Sequence, residues 1–181
     1  MKDNTEVIAV KKPNECSETE LKDFAAFVCA GGEVTAAGLG ERIRKAEALV
    51  FLSQEGCLKG IAAIKNPERE YKNGVFQKAH ATVQASEFPF ELGWVFVLPS
   101  SRLAGLSHKL VKSALAAASG RRLFATSHSN NIHMHKVLKA HGFSCHGEAY
   151  LSGRCNRELL LFISEGAQQA IPGDAPKADG S

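Results

Sequence analysis

The sequence lacks features that mark several classes of protein. No apolar run approaches the roughly 18 residues that a membrane-spanning helix needs. The first ten residues include Lys2, Asp3 and Glu6 and contain no apolar h-region, which argues against a secretory signal peptide. We therefore expect a cytoplasmic protein that makes no membrane contact.

The sequence also lacks a strong excess of either charge. Lys and Arg number 22 against 19 Asp and Glu, so the formal net charge is +3 and the pI is 8.6. Nucleic-acid-binding domains usually have a pI above about 9 and a clustered basic stripe. The scattered charges therefore do not favour nucleic acid as the ligand, whereas a small positive balance agrees with a phosphate-bearing cofactor.

Neither cysteine nor histidine is spaced as a metal ligand. The five cysteines form no C-x-x-C pair, which excludes a zinc ribbon and argues against a disulfide framework: Cys16, Cys29, Cys57, Cys145 and Cys155. Five histidines lie between His128 and His146, yet none are four residues apart. His133 and His135 are two residues apart on a predicted helix and point to different sides of it. We therefore predict no metal site.

Hydrophobic periodicity predicts seven strands and four helices. Strands are expected where short runs are apolar or alternate: residues 5–11, 48–53, 58–64, 92–98, 123–126, 144–151 and 158–164. Helices are expected where apolar residues recur every three or four positions: 18–30, 36–45, 105–119 and 131–141. Ser17 and Glu20 form a capping box before the first helix. The polar stretch 68–86 is predicted to be a loop with some helix.

This order of elements predicts one α/β domain. Strands and helices alternate in the second half, which favours some parallel pairing, whereas hairpin signals in the first half favour antiparallel pairing. The near-continuous apolarity of 92–98 indicates a strand that is covered on both faces. We predict a single domain over residues 1–164 and a flexible, non-catalytic tail over 165–181.

The segment over residues 95–107 carries the clearest chemical signal. A buried strand ends at Pro99, a short turn contains Arg102 and Gly105, and Ser107 lies in the first turn of a helix. Such a turn directs free backbone N–H groups and the positive end of the helix dipole into one small volume, which suits a diphosphate. The alternative is an ordinary connection in which Ser101 or Ser107 caps the helix.

Three markers resemble the GNAT superfamily of N-acetyltransferases. Residues 102–107 (Arg-Leu-Ala-Gly-Leu-Ser) are similar to the family signature Q/R-x-x-G-x-G/A, with Ser107 where Gly or Ala is usual. Residues 97–99 match the V-x-P that precedes it, and Asn131 lies eleven residues before the Gly-Phe pair at 142–143, as in the family. The resemblance covers residues 5–164. Serine is small, so we expect the loop to keep its form.

The resemblance implies a fold, a cosubstrate and a set of contacts. The fold would be a mixed, mainly antiparallel sheet with a central splayed parallel pair of strands and helices on both faces. Acetyl-CoA would be the acetyl donor. The backbone of Phe96 and Val97 would pair with the pantetheine arm and polarise the thioester, and Asn131 would contact that arm. The pyrophosphate would lie against the loop residues Arg102, Leu103, Ala104, Gly105, Leu106 and Ser107.

Acetyl transfer to an amine also needs a base. Glu91 lies eleven residues before Arg102, and some lysine-directed members of the family have a glutamate at a similar spacing. Its aromatic neighbours could raise its pKa by desolvation: Phe88, Phe90, Trp94 and Phe96. The alternative for Glu91 is a solvated residue at the start of a strand. His128 is a second candidate for a general base or a substrate contact.

The leaving thiolate needs an acid, and the sequence departs from the family here. The usual tyrosine would stand four or five residues before the Gly-Phe pair, where this chain has Leu138 and Val137. Either water or another group protonates the thiolate, or the chemistry is altered. Ser127, Tyr71 and Tyr150 are the side chains that could take the place of the usual tyrosine.

These observations predict an N-acetyltransferase that moves an acetyl group from acetyl-CoA to a primary amine of a small molecule or a protein by direct transfer. The missing tyrosine leaves open a degenerate acyl-CoA-binding domain with a sensing or regulatory role. An RNA-directed acetyltransferase and a plain interaction module are further alternatives. The oligomeric state stays open, with a homodimer as one option because dimers are common in the family.

Overall fold

The computed structural model describes residues 5–32, 35–102, 104–152 and 156–166. The described strands are β1 (Glu6–Lys11), β2 (Ala48–Gln54), β3 (Cys57–Lys65), β4 (Phe90–Val97), β5 (Leu123–His128), β6 (Ser144–Leu151) and β7 (Glu158–Ser164). The described α-helices are α1 (Glu18–Ala30), α2 (Leu39–Arg44), α3 (Arg69–Lys78), α4 (Leu106–Ala118) and α5 (Ile132–Ala140). None of these helices combines the length and the apolar character that crossing a bilayer requires.

The strands form one sheet in the order β1-β2-β3-β4-β5-β7-β6. Neighbouring strands are antiparallel except β4 and β5, which are parallel and lie at the centre. The helix α4 makes the connection between these two parallel strands. The expected mixed, mainly antiparallel sheet with a central parallel pair is therefore confirmed.

Helices cover both faces of the sheet because alternate residues of the inner strands are apolar on both sides. On one face α4 packs on the buried side chains of Val50, Leu52, Ala62 and Ile64, and α5 packs against α4 in the same core. On the other face α1 and α2 pack on Leu49, Phe51, Ile61 and Ala63. Burial of each large side chain contributes roughly 1.5–3 kcal/mol, so both layers stabilise the sheet.

Local signals predicted several boundaries correctly. Ser17 and Glu20 form the expected capping box at the start of α1. The hairpin between β2 and β3 turns at Glu55 and Gly56, both with positive φ, which is the backbone that a two-residue hairpin favours. A serine cap on α4 is wrong, because Gly105 occupies the N-cap position and no side chain caps the helix.

Other boundaries differ from the predictions. The polar segment 68–86 contains α3, a ten-residue helix that buries Val75 and Phe76, so it is more helical than expected. The second helix is shorter than predicted and spans only Leu39–Arg44. The strand β5 continues to His128 because β7 pairs with it along its whole length. The predicted tail lies outside the described residues from 167 onward, and the domain boundary at residue 164 stays a prediction.

Candidate functional site

The two central strands separate soon after they meet. β4 and β5 pair at only two positions, Phe90 with Leu123 and Glu91 with Phe124. Beyond them β4 remains paired with β3 and β5 with β7, while the facing edges diverge. Residues 92–96 and 125–128 line a cavity between the two edges. The backbone groups of these edges are thus directed at a cavity rather than at each other.

A bulge at Trp94 explains why the strands separate. Three steps along β4, from Gly93 to Phe96, are matched by only two along β3, from Ala63 to Ile61. The extra residue is absorbed at Trp94, whose φ of 52° lies in the left-handed region that larger side chains avoid. A bulge bends a strand and increases its twist, which carries β4 away from β5. Strained backbone of this kind is typical of functional sites.

The cavity encloses about 330 Å³. Besides the two strand edges, its walls come from α1, residues 66–68, α3, α5 and β7. The side chains on these walls include Val28, Tyr71, Met134, Leu138 and Leu159. The wall at Leu138 is apolar, as the sequence predicted from the missing tyrosine. The predicted residues Glu91, Phe96, Ser127, His128 and Asn131 all line this one cavity.

The loop before α4 leaves the backbone of Gly105 uncovered. Gly105 has φ of 69°, and a Cβ built on it would meet no atom within 4 Å. The space above its backbone is therefore open to a ligand. Arg102 is exposed at the same loop, and its Nε donates a hydrogen bond of 3.3 Å to the carbonyl of Val97.

The other predicted loop residues differ in what they present. Ala104 is exposed, Ser107 is half-buried, and the side chain of Leu106 is packed in the core, so Leu106 has only its backbone to offer. The first N–H groups of α4 have no acceptor within the helix. Leu103 lies outside the described residues.

The diverging edges of β4 (residues 92–96) and β5 (residues 125–128) form a fork, and Glu91 lies at its base, where the two strands still pair. Its side chain is buried, so the alternative of a solvated residue at the strand start is wrong. The carboxylate accepts a hydrogen bond of 2.7 Å from Lys65 Nζ and one of 3.3 Å from the hydroxyl of Tyr71. The candidate base is therefore held by a cation and a phenol, and not only by the aromatic neighbours that the sequence suggested.

Lys65 is a cavity residue that the sequence did not bring to notice. Its ammonium lies 5.1 Å from the ring centre of Trp94 and 5.7 Å from that of Tyr71, distances typical of cation–π contacts. The stem of Lys65 crosses β4 at Gly93, where an added Cβ would lie only 2.6 Å from Lys65 Cδ. The sequence does show a lysine directly after a predicted apolar strand. It does not show that Glu91 is the partner of this lysine, because that pairing depends on the register between β3 and β4.

Three hydroxyl groups lie near Glu91 or the fork. Burial, together with the charge of Glu91, raises the pKa of Tyr71 well above its usual range, and the same two causes raise the pKa of Tyr150. Both phenols therefore stay protonated at neutral pH. The hydroxyls of Ser127 and Tyr150 are buried and have no hydrogen-bond partner within the part of the chain that the structure describes. Ser127 lines the cavity, whereas Tyr150 is not among its described lining residues.

His128 and Asn131 are anchored beside the fork by the start of α5. The backbone carbonyl of His128 lies 2.8 Å from Nε2 of the buried His135. The side chain of Asn131 accepts a hydrogen bond of 3.1 Å from the N–H of Met134 and so caps α5. Among residues 5–32, 35–102, 104–152 and 156–166, no group of three metal-ligating side chains converges.

Comparison with solved structures defines the class of fold. YncA from Salmonella typhimurium, solved with its cofactor acetyl-CoA, matches with a TM-score of 0.63 at 14% identity, over 94% of this chain and 99% of that one. Arabidopsis thaliana Naa50, in complex with the bisubstrate analogue CoA-Ac-MVNAL, matches with a TM-score of 0.63 at 14% identity, over 87% of this chain and 97% of that one. An acetyltransferase of the GNAT family from Streptococcus pneumoniae matches with a TM-score of 0.60 at 17% identity, over 88% of this chain and 99% of that one.

These likenesses show that the chain has the GNAT fold. No protein-family model matches the sequence. No curated protein matches it either. The fold expectation that came from the sequence markers is therefore confirmed by structure rather than by overall sequence similarity.

Proposed function

We propose that this protein is an acetyl-CoA-dependent N-acetyltransferase that acts on a primary amine of a small molecule or a protein. The observation that carries the proposal is the fork between β4 and β5, together with the short connection from the end of β4 to the uncapped N-terminus of α4. Acetyl-CoA is elongated, with a diphosphate toward one end and a thioester at the other. The N-terminus of α4 suits the diphosphate, and the fork suits the pantetheine arm and its thioester. The GNAT fold of the chain supports the same conclusion.

Several described features support the predicted cofactor contacts. The backbone of Phe96 and Val97 would hydrogen-bond the pantetheine arm, and Asn131 lines the same cavity as Phe96. The open space over Gly105 and the first N–H groups of α4 would receive the diphosphate, with Arg102 supplying positive charge. Acetyl-CoA supplies the activated acetyl group as a thioester.

The proton transfers would be shared between Glu91 and Ser127. Glu91 is the carboxylate placed to accept a proton from an incoming ammonium, because it lies at the base of the cavity. Ser127 is assigned as the donor to the leaving thiolate, because it lines the cavity on the opposite strand and its buried Oγ has no described hydrogen-bond partner. Tyr71 stays protonated and orients the carboxylate of Glu91 through its hydroxyl.

Acetyl-CoA should raise the melting temperature of the protein. A ligand present at about 100 times its Kd adds roughly 2.7 kcal/mol to stability, which is roughly 5–10 °C for a domain of this size. The check is thermal unfolding with and without acetyl-CoA, with coenzyme A as a second arm. We expect Arg102→Glu to abolish the shift. No shift at millimolar cofactor would overturn the proposed function.

Gly105→Ala should weaken acetyl-CoA binding about tenfold, equivalent to ~1.4 kcal/mol. The added methyl group would occupy the open space where the diphosphate is expected, and the left-handed backbone would cost roughly 1–2 kcal/mol of stability. Gly38→Ala is a matched control, because Gly38 caps α2 with φ of 68° and ψ of 9° against 69° and 13° at Gly105. Equal loss of affinity in both variants, measured by calorimetry, would contradict the assignment of the loop.

A degenerate acyl-CoA-binding domain with a regulatory role is the second candidate. Two observations favour it: Leu138 provides no proton, and the carboxylate of Glu91 is already paired with Lys65. Release of free thiol over time in the presence of candidate amines separates the two functions. Repeated turnover supports the enzyme, and binding without thiol release supports the regulatory domain.

A further inference from the structure

The pair formed by Lys65 and Glu91 lies inside the candidate active cavity. Both residues line the same cavity as Ser127 and His128 on the opposite strand. The side chain of Lys65 is 19% exposed and that of Glu91 is 4% exposed, so the pair is largely removed from bulk water. The other ion-paired lysines of the described chain are about one-third or more exposed.

The surroundings of Lys65 resemble the site that an amine acceptor requires. A primary ammonium is held by a carboxylate at 2.7 Å and lies near the rings of Trp94 and Tyr71. A general base must lie within hydrogen-bond reach of the proton that it removes, and Glu91 meets this condition for Lys65. The chain thus places one of its own amines where an external amine would have to bind.

We propose that Lys65 is itself an acetyl acceptor, so that the protein acetylates its own cavity at this residue. The inference rests on the proposed function, because acetyl-CoA must be the donor. It goes beyond that function because it assigns a modification site within the protein and a change in the charge of the acceptor pocket.

The reaction balances with the groups that the cavity holds. Glu91 takes one proton from the Lys65 ammonium, and the lone pair of Nζ then forms the N–C bond to the acetyl carbon. The C–S bond breaks and its electron pair leaves with the sulfur. The second nitrogen proton is lost to the thiolate, directly or through Ser127, and the proton on Glu91 passes to water. The products are acetyl-Lys65, free coenzyme A and one proton.

Acetylation would change what the pocket can bind. The amide of acetyl-Lys65 is neutral, so the ion pair with Glu91 would be lost and the carboxylate would become available to another ammonium. The Lys65 stem lies directly over Gly93, where any larger residue would collide with it. Before modification the pair is neutral overall, and after it the pocket carries one negative charge, which favours cationic amine acceptors.

Mass spectrometry of the intact and digested protein tests the proposal. The full chain is incubated with acetyl-CoA and the acetylation of each lysine is followed over time. We expect one acetyl group at Lys65, appearing about 100-fold faster than at Lys11, the lower end of what a positioned base contributes. Lys11 is a fair internal control because it is also ion-paired, to Glu20 at 2.5 Å, but lies outside the cavity.

Two variants make the outcome decisive. Glu91→Gln keeps a hydrogen-bond acceptor beside Lys65 but removes the base, so the rate at Lys65 should fall to that at Lys11. Lys65→Arg should carry no acetyl group at residue 65. Equal rates at Lys65 and Lys11 that do not respond to Glu91→Gln would overturn the proposal as non-enzymatic chemistry.

The thermal-shift measurement separates this inference from the proposed function. If acetyl-CoA raises the melting temperature and an added amine is acetylated while Lys65 stays unmodified, self-acetylation is overturned and the proposed function stands. If acetyl-CoA causes no shift, both fail together.

Discussion

Glu91→Gln should lower the free energy of unfolding by about 3 kcal/mol and reduce acetyl transfer by about 10²–10⁴-fold. Removing one partner of a buried ion pair costs roughly 3–5 kcal/mol, because the remaining charge is left uncompensated. Here the cost is at the low end, since Lys65 is 19% exposed and can turn toward water. The loss of activity follows from removing a base within hydrogen-bond reach of the amine. Chemical denaturation and thiol release measure the two effects.

The double variant Glu91→Gln with Lys65→Met separates stability from catalysis. It removes both charges and keeps an unbranched stem over Gly93, so we expect most of the lost stability to return. Activity should stay low because the base is still absent. If activity returned together with stability, Glu91 would act only by stabilising the fold through its pairing with Lys65, and not as a base.

Ser127→Ala should reduce acetyl transfer by about 10²–10³-fold without loss of stability. The hydroxyl of Ser127 is buried without a described partner, so its removal relieves a desolvation cost of roughly 1 kcal/mol. Stability should therefore stay the same or rise by that amount. The rate should fall because the thiolate loses its proton donor. Single-turnover kinetics with thermal unfolding of the same samples measure both quantities.

Tyr150→Phe is the matched control for Ser127. Tyr150 carries the other buried hydroxyl without a described partner, but it is not among the described residues that line the cavity. Removing the hydroxyl of Tyr150 should likewise leave the free energy of unfolding unchanged or raise it. It should not change the rate of acetyl transfer. A rate as fast in Ser127→Ala as in the wild type would show that water protonates the thiolate.

Much of the fold could be predicted because its signals are local. The capping box at Ser17, the turn at Glu55 and Gly56 and the apolar periodicity of α4 depend on residues that are close in sequence. The segment 102–107 was found for the same reason, since a strand, a loop and the start of a helix follow one another. The ten-residue helix α3 was underestimated because its surface is polar and only one side of it is buried.

The chemistry of the cavity depends on contacts that the sequence does not reveal. Lys65 and Glu91 are 26 residues apart, and their pairing follows only from the antiparallel register of β3 and β4. The sequence suggested an apolar setting for Glu91 from its aromatic neighbours, whereas a cation proved to be the nearest group. Ser127 and Tyr150 could be named as donors, but only the structure shows that Ser127 lines the cavity, whereas Tyr150 is not among the described residues that do so.

The bulge at Trp94 makes the number of residues in β4 as important as their identity. Side chains of a strand alternate between faces, so the extra residue places Phe96 beside Phe27 of α1 and Val97 against the α4 side of the sheet. Loss of one residue between 93 and 95 would exchange the faces of every side chain that follows before the turn. A substitution in this stretch changes the contacts of one residue, whereas an insertion or deletion would change the contacts of every residue up to the end of β4. We therefore expect related sequences to tolerate substitutions here but not insertions or deletions.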